Sequence, residues 1–192
     1  GERFHYSDTG YVLLGRVLEQ VTGRDAFELT RERIFEPAGM TDSVVWKREP
    51  GPERIAPCWV DRTEASGFES VTVEWMSGGY VTTTDDLARL GTALTNGTLV
   101  DPELWERMRA PRNTMRPGIG YGLGVMELRF EGFSPLMRGL PRPVGHLGVL
   151  GAHMFVDTEH GTNVVLGFHG TREMRASFVT HITIAHGLSR LG

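Results

Sequence analysis

Two short clusters far apart in the chain carry residue types suited to proton chemistry. Tyr6-Ser7-Asp8 stands just ahead of an amphipathic stretch, and Gly145-His146-Leu147-Gly148 stands in strand-like sequence. A phenol has a reference pKa near 10, so it serves as a base only beside a cation that lowers it. Ser7 or Asp8 equally suits a helix N-cap, with Tyr6 as the hydrophobic residue ahead of it. A histidine followed by a glycine on a strand is a weak pattern when taken alone. Neither cluster by itself specifies a reaction.

Several other chemistries lack their residues. No Gly-x-Ser-x-Gly elbow occurs, which removes support for an α/β-hydrolase. No His-Glu-x-x-His occurs, and His181 and His186 are five positions apart, a poor spacing for one helical face. The run Gly118-Ile119-Gly120-Tyr121-Gly122-Leu123-Gly124 is neither a Walker loop nor a dinucleotide fingerprint, and reads as strand beside a groove. Cys58 lies in an irregular segment with no sign of activation. Ser43 and Ser77 have no lysine three residues later, and neither has any other serine of the chain.

The elements that must position the two clusters follow from periodicity. Residues 9–22 predict a helix with Leu14, Val17, Leu18 and Val21 on one apolar face, stopped at Gly23. A second helix is expected from Asp25, with Glu28 completing a capping box, ending before Pro37. Residues 47–70 read as a long irregular excursion. Thr84-Asp85-Asp86-Leu87 opens a third helix that closes near Asn96-Gly97, and Asp101-Pro102 opens a fourth. Strands are expected at Tyr121–Leu128, Val144–Leu147, Ala152–Asp157 and Thr162–Phe168, the last two joined as a hairpin. Residues 172–190 place Met174, Phe178, Ile182, Ala185 and Leu188 on one helical stripe. The order is helices, then an antiparallel meander, then a terminal helix: an α+β pattern. Residues 1–116 are mainly helical and 117–192 hold the strands and the last helix, together part of a single domain.

Composition bounds the partners. The 192 residues suffice for a sizeable core, and 40% hydrophobic with 23% charged residues are globular values. A net charge of -4 supplies no basic field for nucleic acid. No run of about 20 apolar residues exists to span a membrane. One cysteine forms no internal disulfide. The four tryptophans, Trp46, Trp59, Trp75 and Trp105, are expected in the core or a groove wall.

Set in their surroundings, the two clusters resemble the second and third motifs of the serine β-lactamases and penicillin-binding proteins. Phe4–Gly15 is similar to that family's tyrosine segment and following helix, and Ile34–Ser43 to its helix exit. Gly78-Gly79-Tyr80 through Arg89 is similar to the glycine pair and helix flanking the groove, and Gly120–Gly124 to a strand entering the sheet. The resemblance implies a β-lactamase/transpeptidase-like fold with its N-terminal part absent. It implies an acyl-enzyme mechanism in which Tyr6 relays a proton beside the lysine of a Ser-x-x-Lys motif. Gly148 would let substrate approach, Val149 N–H would form half of an oxyanion hole, and Asp8, Leu147, Gly78 and Gly79 would line the groove. No metal or organic cofactor is required. The Ser-x-x-Lys motif should lie upstream, yet only five residues precede Tyr6. The chain alone is therefore expected to be inactive.

Three departures bear on substrate. Asp8 stands where the family often has asparagine, His146 where β-lactamases and D,D-peptidases usually have lysine, and Leu147 where a hydroxyl residue is usual. Each weakens the hold on a substrate carboxylate, and one charged hydrogen bond is worth about 1.5–3 kcal/mol. The expected substrate is a small ester or amide, with a β-lactam less favoured. The alternative is a non-catalytic relative acting as a binding protein. Without N-terminal strands, Thr162–Phe168 would be an open edge, so self-association or a partner segment completing the sheet is expected.

Overall fold

A computed structural model describes residues 3–46, 55–68 and 75–190. Helix α1 spans Asp8–Thr22. Ser7 caps it, its side chain accepting from Gly10 N–H, and Gly23 ends it in the left-handed region at φ 68°. Helix α2 covers Ala26–Thr30, capped by Asp25, which accepts from the Phe27 and Glu28 amides. The expected stop before Pro37 does not occur. A π-helical turn at Arg31–Phe35 leads into a last turn, α3 (Glu36–Ala38), and the helix ends at Gly39 with φ 69°. The Glu36 N–H bonds to Arg31 C=O, five residues back. That wider turn eases the crowding a proline ring imposes on a regular ladder.

Two short pairings follow. Strand β1 (Val44–Val45) pairs antiparallel with β4 (Tyr80–Val81), and β2 (Trp59–Val60) pairs with β3 (Thr63–Glu64). The irregular excursion thus holds a small hairpin, with residues 47–54 and 69–70 outside those described. Helix α4 (Trp75–Gly78) packs beside α1. Helices α5 (Thr84–Thr95) and α6 (Pro102–Arg109) start where expected, α5 capped by Thr83, which accepts from Asp86 N–H, and α6 by Asp101, which accepts from Leu104 N–H. Trp105 is buried, whereas Trp59 is exposed.

Among the described residues the main sheet has six antiparallel strands in the order β10-β9-β8-β7-β6-β5. They are β5 (Asn113–Arg116), β6 (Ile119–Tyr121), β7 (Met126–Leu128), β8 (Val144–Gly148), β9 (Ala152–Asp157) and β10 (Thr162–Leu166). The single strand expected at Tyr121–Leu128 is instead the turn of a hairpin, because Gly124 at φ 76° folds the chain back. Strand β5, which no sequence signal marked, lies at one edge of this sheet. The last strand ends two residues early, at Leu166, and it lies at the other edge as expected.

The core forms on the sheet. Ile119, Tyr121, Met126, Leu128, Phe130 and Phe155 make one buried cluster with Ala185 of α7 (Met174–Leu188), and Phe178 and Ile182 pack against it. A polar chain is buried beneath α7. Ser177 donates to Met174 C=O at 2.9 Å, so its oxygen accepts from His153 Nε2 at 2.8 Å. His153 Nδ1 is then the acceptor for His181 Nδ1–H at 3.2 Å. Burial pushes both imidazoles down to about 4, with mutual repulsion adding to the shift at His181.

The apolar face of α1 is not buried. Leu14, Val17, Leu18 and Val21 are between 44% and 73% exposed, and Gly15 is the helix's buried residue. The stripe has the right period but nothing among the described residues covers it.

Candidate active site

The two sequence clusters meet. Strand β8 carries His146 into contact with the segment ahead of α1, and the Tyr6 and His146 ring centroids lie 6.0 Å apart at 39°. Both side chains are partly buried. Tyr6 stands one residue before the Ser7 cap, so its place depends on where α1 begins.

His146 has a defined hydrogen-bond setting. Its Nδ1 lies 2.9 Å from the Leu147 carbonyl, which can only accept, so Nδ1 carries the proton. Its Nε2 faces the Tyr121 hydroxyl at 3.4 Å, and that hydroxyl contacts Tyr11 Oη at 2.7 Å. Burial lowers the His146 pKa, while the Leu147 carbonyl and the Asp8 carboxylate oppose the shift without cancelling it. The imidazole is neutral near pH 7. Burial and the Tyr11 hydroxyl push the Tyr121 phenol up, so it remains a proton donor.

Neither Tyr11 nor Tyr121 is apparent as a site residue from the sequence. The available signal is that Tyr121 is the single large polar-tipped side chain in the run from Gly118 to Gly124. Its glycine neighbours are enforced: a Cβ on Gly122 would stand 2.1 Å from Met108 C=O.

The remaining expected residues take distinct places. Asp8 begins α1, exposed in its first turn, close enough to influence His146 and Tyr121 electrostatically. Leu147 pairs with His153 across the sheet and packs against the core cluster that Phe178 and Ile182 join, so it faces α7. Val149 follows β8 in the turn to β9 and is 69% exposed. Gly148 ends β8 with room around it, since an added Cβ would meet Ala152 Cβ at an ordinary 3.5 Å. Gly145 has no such room: a Cβ there would lie 1.9 Å from Met154 C=O. Gly78 and Gly79 sit at the α4–β4 junction, and α4 packs beside α1.

The Beta-lactamase family model matches residues 1–187. The chain belongs to that family. A D-aminopeptidase of Brucella anthropi is 29% identical over 158 residues, covering 78% of this chain and 28% of the relative. A putative D-alanyl-D-alanine carboxypeptidase of Escherichia coli K12 is 25% identical over 194 residues, covering 86% and 45%. The crystal structure of a D-amino acid amidase from Ochrobactrum anthropi SV3 superposes with a TM-score of 0.77 at 25% identity, covering 98% of this chain and 57% of the amidase. This Beta-lactamase-family chain thus has the β-lactamase/transpeptidase-like fold, and its relatives are named as hydrolases. It spans less than half the length of the curated relatives it matches.

Proposed function

We propose that this chain supplies the proton-relay and sheet sides of a serine hydrolase pocket that opens small neutral esters or amides through an acyl-enzyme. The observation that carries the reading is the meeting of Tyr6 with a neutral His146 across 6.0 Å. The attacking serine and its lysine come from a segment outside these 192 residues. That segment seats on the bare stripe of α1 and completes the sheet at β10.

In acylation the serine oxygen bonds to the acyl carbon, its proton passes by way of the Tyr6 hydroxyl to the leaving nitrogen or oxygen, and the bond from the acyl carbon to that atom breaks. The developing oxyanion accepts from Val149 N–H, in the turn between β8 and β9. Gly148 allows the substrate to lie against β8. His146 lines the leaving-group side as a neutral ring, and offers no cation to a substrate carboxylate. Water then attacks the acyl-enzyme through the same relay in reverse.

The test compares two proteins. The full-length gene product should be labelled by a fluorophosphonate, and these 192 residues alone should not. The full-length enzyme should hydrolyse short-chain p-nitrophenyl esters or amides faster than cephalosporins. Labelling of the isolated chain, or a strong preference for cephalosporins, would overturn the reading.

A further inference from the structure

We propose that Tyr121, braced by Tyr11, is a positioning residue that fixes His146 as the Nδ1–H tautomer and keeps its Nε2 as an acceptor. The inference rests on His146 facing the substrate, and adds what sets its protonation state.

The direction of each bond follows from which atoms can donate. The Leu147 carbonyl claims the proton on Nδ1 at 2.9 Å, leaving a lone pair on Nε2. The atom facing that lone pair is Tyr121 Oη, at 3.4 Å. If the Tyr121 proton points to Nε2, its oxygen is free to accept, and Tyr11 Oη at 2.7 Å is placed to donate to it. The chain therefore runs from Tyr11 through Tyr121 to His146.

Packing holds Tyr121 in place independently of these bonds. Its ring meets Phe4 at 5.4 Å, Tyr6 edge-on at 5.7 Å and His146 edge-on at 6.0 Å. The residue is buried on β6, two strands from His146 on β8, while Tyr11 arrives from the first turns of α1. Two segments distant from β8 in sequence, the start of α1 and β6, thus converge around one imidazole. The consequence is chemical: a substrate group beside His146 meets a ring whose Nε2 already takes part in a hydrogen bond and whose Nδ1 proton is directed at the backbone. Tyr121 presents no charge to it.

The experiment is long-range ¹H–¹⁵N correlation NMR of the imidazoles in the full 192-residue chain near pH 7.5, with His146→Gln identifying the resonances. It reads the tautomer whether or not the chain catalyses anything. Wild type should show a protonated Nδ1 and a bare Nε2 at His146. Tyr121→Phe keeps the ring and removes the hydroxyl, and the ratio of Nδ1–H to Nε2–H forms should fall by about 2- to 10-fold, the worth of one neutral hydrogen bond. A wild-type Nε2–H tautomer, or an unchanged ratio in Tyr121→Phe, overturns the proposal. Should Tyr121→Phe fail to fold, Tyr11→Phe carries the same decision, with a shift in the same direction expected and an unchanged ratio refuting it.

Discussion

The buried His153–His181 pair makes the fold acid-sensitive by an amount that can be worked out. Both side chains are 1% exposed, and burial holds both pKa values near 4, below the 6.5 of a free imidazole. As pH falls through 6.5 the unfolded chain therefore takes up protons that the folded chain refuses. The stability is fully present above pH 6.5 and lost towards pH 4. At pH 5 the folded pair is almost proton-free, so the loss is set by the unfolded chain, at about 2 kcal/mol for each histidine and about 4 for the pair. His181→Phe isolates this contribution. The ring would sit among Phe130 and Phe155, which His181 already contacts, while His153 Nδ1 loses its donor. At pH 8 the variant should be less stable than wild type by about 1–3 kcal/mol. Between pH 8 and pH 5 it should lose about 2 kcal/mol less than wild type, so the two profiles converge. Urea unfolding followed by tryptophan fluorescence at both pH values measures this. Parallel profiles, with the variant losing as much as wild type, would refute the argument.

Three further outcomes are expected. Gly145→Ala should destabilise the chain by about 3 kcal/mol or more, because its Cβ strikes the Met154 carbonyl, whereas Gly148→Ala should cost under about 1 kcal/mol by thermal melting. Asp86 is fully buried and accepts from Asp42 N–H, Ser43 Oγ and Arg89, so Asp86→Ala should cost about 3–5 kcal/mol in urea unfolding. The isolated chain should self-associate in light scattering. Val17→Glu with Leu14→Glu should reduce that association, since the bare stripe is its apolar part; equal association in the double variant would place the contact elsewhere.

Much of this was legible in the sequence because it is written in short-range signals. Caps at Ser7, Asp25 and Asp101 and the acidic first turn at Asp85-Asp86 mark the helix starts, and the β9–β10 hairpin follows from alternation and its turn. What escaped is long-range or depends on one dihedral. The split of Tyr121–Leu128 into two strands turns on Gly124 alone, and the passage of the helix through Pro37 on a π turn that no propensity marks. The stripe on α1 has the period of a buried face, but it stands exposed among the described residues. The partnership of His153 with Ser177 and His181 joins a strand to a helix more than 20 residues on, so no spacing rule finds it.

The position of Tyr6 carries a consequence for heat. Its phenol hangs one residue ahead of the Ser7 cap, on a helix held through few buried atoms. The first turn of such a helix opens before the sheet does. On warming, the Tyr6–His146 contact would be lost while the β8–β9 ladder is still intact.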